Sequence, residues 1–60
     1  MKLLIAKNSD DKRVIIPYRN IIAIEEFTPS FTTILVSGNN HYLLKGKFAG
    51  YAKLLDDNLA

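Results

Sequence analysis

The side chains that could act as acids, bases or nucleophiles are few, and they lie far apart along the 60-residue chain. His41 is the only histidine, and it directly follows a run of turn-forming residues. Hydrolytic or transfer chemistry needs a base, a nucleophile and an oxyanion site that converge, and no such set is indicated around His41. Glu25 and Glu26 are adjacent, so on a strand they would point to opposite faces and form no carboxylate pair. The sequence therefore predicts no catalytic residue and no enzyme.

Metal and cofactor sites have equally little support in the pattern. Asp10 and Asp11 place two carboxylates in a polar turn, but they lack the spaced third ligand that a hard cation needs. The chain has no cysteine, which excludes a disulfide framework, a thiolate zinc site and a cysteine nucleophile. Three scattered glycines, Gly38, Gly46 and Gly50, do not form a phosphate-binding loop. We therefore expect no metal and no cofactor.

One aromatic and three cationic side chains form a candidate contact for nucleic acid or another partner: Tyr42, Lys45, Lys47 and Lys53. Aromatic rings stack on bases and lysines neutralise phosphates, so this composition suits a nucleic acid. The net charge of only +2 permits such binding, although dedicated nucleic-acid modules usually carry a denser basic stripe. Two further aromatic residues in this stretch, Phe48 and Tyr51, lie at helical spacing, which favours packing in the core. Nucleic-acid binding is therefore the alternative prediction.

Three strands are predicted in the first half of the chain. Residues 2–7 and 13–18 are rich in apolar and β-branched side chains and flank a turn-forming stretch, which is typical of a hairpin. The three-residue spacing of Ile21 and Ile24 favours a single helical turn that leads into a strand over residues 22–27.

A second hairpin is predicted from Phe31–Ser37 and His41–Lys45. Gly38 fits the first central position of a two-residue type II′ turn, which would place Ile34 opposite Leu43. One face would then carry Phe31, Thr33, Leu35, Tyr42 and Leu44, and the other Thr32, Ile34, Val36, His41, Leu43 and Lys45. Both faces are apolar at their centres.

An amphipathic helix is predicted over residues 47–58. Its apolar stripe consists of Phe48, Tyr51, Ala52, Leu55 and Leu59. The predicted fold is one small domain over residues 1–60 of the α+β class, with an antiparallel sheet of four or five short strands and one C-terminal helix on one face.

One helix can cover only one face of such a sheet, and a soluble monomer rarely exposes a large apolar patch. A chain of this size buries only about 60% of its unfolded surface, which leaves little stability to spare. A second copy is the simplest cover, and we expect a homo-oligomer, with a dimer as the first choice. The expected oligomer face is Ile34, Val36 and Leu43. The alternative is a sheet that curls into a monomeric barrel.

The longest apolar runs, Leu3–Ala6 and Ile21–Ile24, are four residues each, so no membrane span and no signal peptide are predicted. We expect a cytoplasmic, non-catalytic binding or regulatory protein that acts as a homo-oligomer, with a protein partner as a further expectation.

A resemblance extends over about residues 13–55. It is carried by Val14-Ile15-Ile16-Pro17, Ile21-x-x-Ile24-Glu25-Glu26, Thr33-x-Leu35, Gly38 and Leu55. The chain resembles the small flagellar-operon proteins of the FlbD type and the second half of LytTR-type DNA-binding domains. Both share an I-x-x-I-E segment, a threonine-rich strand, a glycine turn, another strand and a closing helix. LytTR domains are longer and contact DNA with elements partly absent here, so the resemblance implies a fold and a bacterial or phage accessory protein, with no DNA-contacting residue carried over.

Overall fold

Five short strands and one C-terminal helix form within residues 2–59, which the computed structural model describes, with the side chains as far as Asn58. The strands are β1 (Leu3–Lys7), β2 (Arg13–Pro17), β3 (Ile21–Thr28), β4 (Phe31–Val36) and β5 (Asn40–Lys45), and the helix is α1 (Phe48–Leu59). The predicted α+β class is confirmed. The strands divide into two antiparallel sheets, β1-β2 and β3-β4-β5, where the sequence predicted one.

The first hairpin forms as predicted, because its loop supplies its own hydrogen bonds. The Asn8 side-chain oxygen accepts from the backbone N–H of Asp10 at 2.9 Å and from that of Lys12 at 3.0 Å. Asp11 adopts a left-handed conformation with φ of 65°, which aspartate tolerates better than most residues. The register that results pairs Leu4 with Ile16 across the two strands.

The predicted helical turn exists, but it lies earlier in the chain than Ile21–Ile24. A 3₁₀ turn spans Tyr18–Asn20, directly after Pro17, whose fixed φ of −60° suits the start of a turn. The isoleucines that follow belong to β3, because β-branched side chains favour extended backbone. Bulges in β3 leave Ile22 and Phe27 exposed.

The predicted pairing of β4 with β5 is wrong by one residue. Ile34 pairs with Tyr42 and not with Leu43. The left-handed Gly38 is confirmed at φ of 88°, but Asn39 is also left-handed at φ of 61°. Val36 pairs with Asn40, so residues 37–39 form a three-residue loop in place of the predicted two-residue type II′ turn. The additional loop residue shifts the whole of β5 relative to β4.

The shift reverses which side chains of β5 face the interior. Leu44 is 0% exposed and shares a face with Thr32 and Ile34, whereas Leu43 lies on the opposite face. Two members of the expected oligomer face, Ile34 and Val36, are 0% and 8% exposed within the chain's own core. The three residues therefore do not form one accessible surface, and this expectation is corrected.

The core lies where the inner faces of both sheets meet α1. Its buried apolar members are Leu4, Ile16, Tyr18, Ile34, Val36, Leu44 and Tyr51. The helix contributes Tyr51, with Leu55 packed against the cluster, in agreement with the predicted stripe. The side chain of Leu59, the last residue of that stripe, lies outside the described residues. The first hairpin and the helix together cover the inner face of the three-stranded sheet.

Candidate binding cleft and exposed apolar face

The two sheets are joined through the end of β1. Asn8 forms a single antiparallel bridge with Leu44 of β5, and the Ser9 N–H donates to the Leu43 carbonyl at 3.0 Å. No further bridge between the sheets occurs within residues 2–59. Beyond this junction the remainder of β1 and the segment that follows β5 separate, and a cleft opens between them.

We call this opening the β1 cleft. Its volume is about 430 Å³, within the usual range for ligand sites. Leu4–Lys7 form one wall, Lys45–Lys47 form the other, and α1 contributes Gly50, Tyr51 and Leu54. The helix side is therefore mainly apolar, while lysines lie on both strand walls.

One wall of the β1 cleft is held firmly to the core. The Tyr51 hydroxyl donates to the Lys45 carbonyl, and the Thr32 hydroxyl donates to the Gly46 carbonyl at 3.0 Å. The Gly46 N–H donates in turn to the Ser30 carbonyl at 2.8 Å. Burial raises the pKa of the Tyr51 phenol above its usual value. Gly46 has φ of 132°, a conformation that favours glycine.

Gly50 differs from Gly46 because neither its backbone nor its packing requires a glycine. It lies in the first turn of α1, and no positive φ occurs there. Apart from its chain neighbours and the backbone of its own helix, a Cβ added at Gly50 would meet no described atom within 4 Å. The missing side chain therefore leaves open space in the wall of the β1 cleft, and it lowers helix stability by about 1 kcal/mol relative to alanine.

The charge of the β1 cleft is positive. Asp11 accepts a hydrogen bond from the Lys45 ammonium at 3.0 Å, and the Lys7 ammonium lies 3.7 Å from the same carboxylate oxygen. Lys47 forms no ion pair with any described side chain. Two of the three lysines, Lys7 and Lys45, thus share one carboxylate. All four groups are largely exposed, so these ion pairs are weak and exchangeable.

The outer edge of β1 carries unpaired backbone groups. The Tyr18 N–H donates to the Lys2 carbonyl at 3.1 Å, and the Asn8 N–H donates to the Lys12 carbonyl at 2.8 Å. The backbone groups of the even-numbered residues of β1 therefore form the hydrogen bonds with β2. Because the pattern alternates in an antiparallel pair, the N–H and C=O groups of the odd-numbered residues point away from β2. Ser9 already uses this edge to reach β5. Ile5 on the same edge has no strand neighbour among the described residues.

The structure separates the residues that the sequence grouped as a candidate partner contact. Lys45 and Lys47 both line the β1 cleft, but Tyr42 and Lys53 do not. Tyr42 is exposed on β5, and Lys53 is exposed on α1. The buried Tyr51 ring packs in the core as expected. Lys7 and Leu54 complete the cleft and were missed, because only the fold brings residues so distant in the sequence together.

The outer face of the first hairpin is apolar and exposed. Ile5 and Ile15 lie directly opposite each other across the two strands, and they are 66% and 58% exposed. Leu3, opposite Pro17, extends this surface. We call these four residues the outer hairpin face.

His41 lines a second, smaller cleft on the outer face of the three-stranded sheet, near Glu25. Within the part of the chain that the structure describes, no three His, Asp or Glu side chains come close enough together to hold a metal ion. Glu25 and Glu26 pair with adjacent residues of β4, Thr33 and Thr32, and point to opposite faces as expected. In the same part of the chain, α1 is too short to cross a bilayer.

No protein-family model matches the sequence, and no curated protein or solved structure matches the chain. The resemblance to FlbD-type and LytTR-type proteins stays a prediction drawn from short motifs.

Proposed function

We propose that the chain is a non-catalytic binding or regulatory protein of the cytoplasm that acts as a homodimer through its outer hairpin face. The observation that carries this proposal is the Ile5–Ile15 pair, two large apolar side chains opposite each other and more than half exposed. A two-fold axis through this hairpin would bury both side chains of each subunit against the other copy. An interface of ordinary size buries about 800 Å² per subunit, which is available on a chain with 4311 Å² of surface.

The size of the chain supports assembly as well. A 60-residue chain without cysteine has no covalent cross-link to add stability. Removing the two isoleucines from water would add a few kcal/mol per subunit, which is a large part of the total stability of a small domain. Folding and dimerisation would then be coupled.

Sedimentation equilibrium between low and high micromolar concentration tests this proposal. We expect a mass that rises towards two chains and a melting temperature that increases with protein concentration. The variant Ile15→Lys should stay at one chain, and the control Phe27→Lys, at an equally exposed residue of β3, should still dimerise. A mass of one chain at every concentration, with a constant melting temperature, would contradict the homodimer.

Nucleic-acid binding is a second candidate function, favoured by the three lysines Lys7, Lys45 and Lys47 that line one cleft. If it is correct, labelled oligonucleotides should bind at low salt, and the double variant Lys45→Ala, Lys47→Ala should flatten the salt dependence by up to about two units. No binding of single- or double-stranded oligonucleotides at low salt would exclude it.

A further inference from the structure

We infer that the β1 cleft binds an extended, acidic segment of a partner protein, which adds as a strand to the open edge of β1. This inference rests on the proposed role as a binding protein and names the chemical class of the partner. It does not depend on the homodimer: Ile5 belongs to both the outer hairpin face and the β1 cleft, but Ile15 belongs to the outer hairpin face alone and can be altered separately.

The first reason is the backbone of β1. Its odd-numbered residues direct N–H and C=O groups towards the cleft, and β5 occupies this edge only near Ser9. An unpaired edge pairs readily with an extended peptide, whose main chain supplies the hydrogen bonds. The bound segment would lie about 4.8 Å from β1, in the gap between β1 and the Lys45–Lys47 wall.

The second reason is Gly50. Glycine lowers helix stability relative to alanine, and no described side chain or neighbouring segment lies within 4 Å of the missing Cβ. Its position in the wall of the cleft leaves room for another chain to approach the helix closely.

The third reason is charge. Lys7 and Lys45 share the single carboxylate of Asp11, and Lys47 has no ion-pair partner among the described side chains, so the cleft retains a net charge of about +2. Carboxylates of an incoming segment would pair with Lys47 and replace Asp11 as the partner of Lys7 and Lys45. The occupied cleft would then be electrically balanced.

The apolar helix side of the cleft restricts the partner further. Leu54 is exposed there, and Tyr51 and Ala6 also line the cleft. Side chains of a strand alternate between two faces, so a bound segment would present apolar residues to the helix and acidic residues outwards. β1 is five residues long, which sets the length of the recognised segment at about five residues.

A peptide is favoured over a nucleic acid for this cleft. Stacking needs an exposed aromatic ring, whereas the ring of Tyr51 is buried and its hydroxyl is bonded to the Lys45 carbonyl. An open strand edge is also a feature that peptides use, because their backbones carry matching donors and acceptors.

The probe is a fluorescein-labelled, end-capped peptide in which glutamate and valine alternate over seven residues. Anisotropy titrations of the full chain should give a Kd in the micromolar range that weakens with salt. A peptide of the same composition with the alternation broken, and an alternating lysine–valine peptide, should bind at least tenfold more weakly. No binding of the alternating acidic peptide at 1 mM protein would overturn the inference.

Three variants locate the site. Gly50→Leu fills the cleft with a good helix former and should weaken binding at least tenfold, while the control Ala49→Leu, at an exposed neighbour outside the cleft, should bind as the parent does. Asp11→Asn keeps a residue that tolerates positive φ but removes the competing carboxylate, so it should strengthen binding severalfold. Thermal melts of each variant test whether it folds. Equal affinity of the parent and Gly50→Leu for the alternating acidic peptide would overturn the inference.

Three further measurements separate the mechanisms. A probe that is N-methylated at every residue has no backbone N–H to donate to the strand edge and should not bind, so undiminished binding would exclude strand addition. Tighter binding of an oligonucleotide than of the acidic peptide would overturn the choice of partner. Repeating the titration with Ile15→Lys should leave the peptide affinity unchanged, and a failed homodimer is thereby distinguished from a failed peptide site.

Discussion

The ring of Tyr51 lies 2.8 Å from the position that a Cβ on Gly46 would occupy. The two residues form the joint between the end of β5 and the start of α1, because the Tyr51 hydroxyl also donates to the carbonyl of Lys45, the neighbour of Gly46. The helix is thus fixed to the sheet by a contact that only glycine permits.

Gly46→Ala should therefore be strongly destabilising. The added methyl group would contact the Tyr51 ring, and the backbone at φ of 132° is unfavourable for alanine. Together these effects should lower the free energy of unfolding by about 2 kcal/mol or more, measured by urea titration at one fixed protein concentration. An unchanged midpoint would show that the ring moves aside and that the joint is loose.

Gly50→Ala should have the opposite effect. The new methyl group meets no atom within 4 Å, and alanine is the better helix former. We expect the free energy of unfolding to rise by about 0.5–1 kcal/mol in the same titration. A loss of stability would mean that Gly50 is packed, and that the open space in the cleft wall does not exist.

The register of β5 can be tested by a matched pair of truncations. Leu44 is fully buried, so Leu44→Ala should lower the free energy of unfolding by about 2–5 kcal/mol. Leu43 is only partly buried on the other face, and Leu43→Ala should cost less than half as much. A larger loss of stability for Leu43→Ala than for Leu44→Ala would contradict the observed register and support the one in which Leu43 lies opposite Ile34.

Tyr51 should make stability depend on alkaline pH. Burial raises the pKa of its phenol in the folded chain above the ordinary value of 10.0, which the unfolded chain retains. Above pH 10 the unfolded state therefore releases this proton first, and the stabilisation is lost as the pH rises through the folded-state pKa. The stability difference between the parent and Tyr51→Phe should be constant below pH 10 and shrink above it. A difference that stays constant to pH 11 would contradict this.

The same variant also removes a hydrogen bond. Without the Tyr51 hydroxyl the Lys45 carbonyl loses its donor, so Tyr51→Phe should cost about 0.5–1.5 kcal/mol at neutral pH. Chemical denaturation at pH 7 measures this value.

Local pattern was sufficient to predict the elements of the fold. Runs of β-branched residues predicted the strands to within two residues at each end, and the spacing of Tyr51 and Leu55 predicted the buried side of the helix. These features depend on neighbours in the sequence. The register of β5 depends on the length of the loop, which has three residues (37–39) where the sequence predicted two, and a turn glycine fits loops of either length. That difference of one residue moved Leu43 out of the core.

The β1 cleft could not be predicted from the sequence pattern, for a different reason. Its walls, Leu4–Lys7 and Lys45–Lys47, are about forty positions apart, and only the junction of Asn8 with Leu44 brings them together. Gly50 gave the one local signal, as a glycine within an apolar helical pattern. Its significance depends on what lies beside the helix, which periodicity does not describe.

The open edge of β1 has a consequence during synthesis. Leu44 of β5 pairs with Asn8 at this edge, and it is synthesised 36 positions after Asn8. At ordinary ribosomal rates the edge of β1 therefore has no pairing strand for several seconds. The run Leu3–Ala6 is apolar and extended, which is the composition that seeds intermolecular β-aggregation. Lys2 and Lys7 flank this run and would repel a second nascent strand. We therefore expect the two lysines to limit intermolecular strand pairing before the fold is complete.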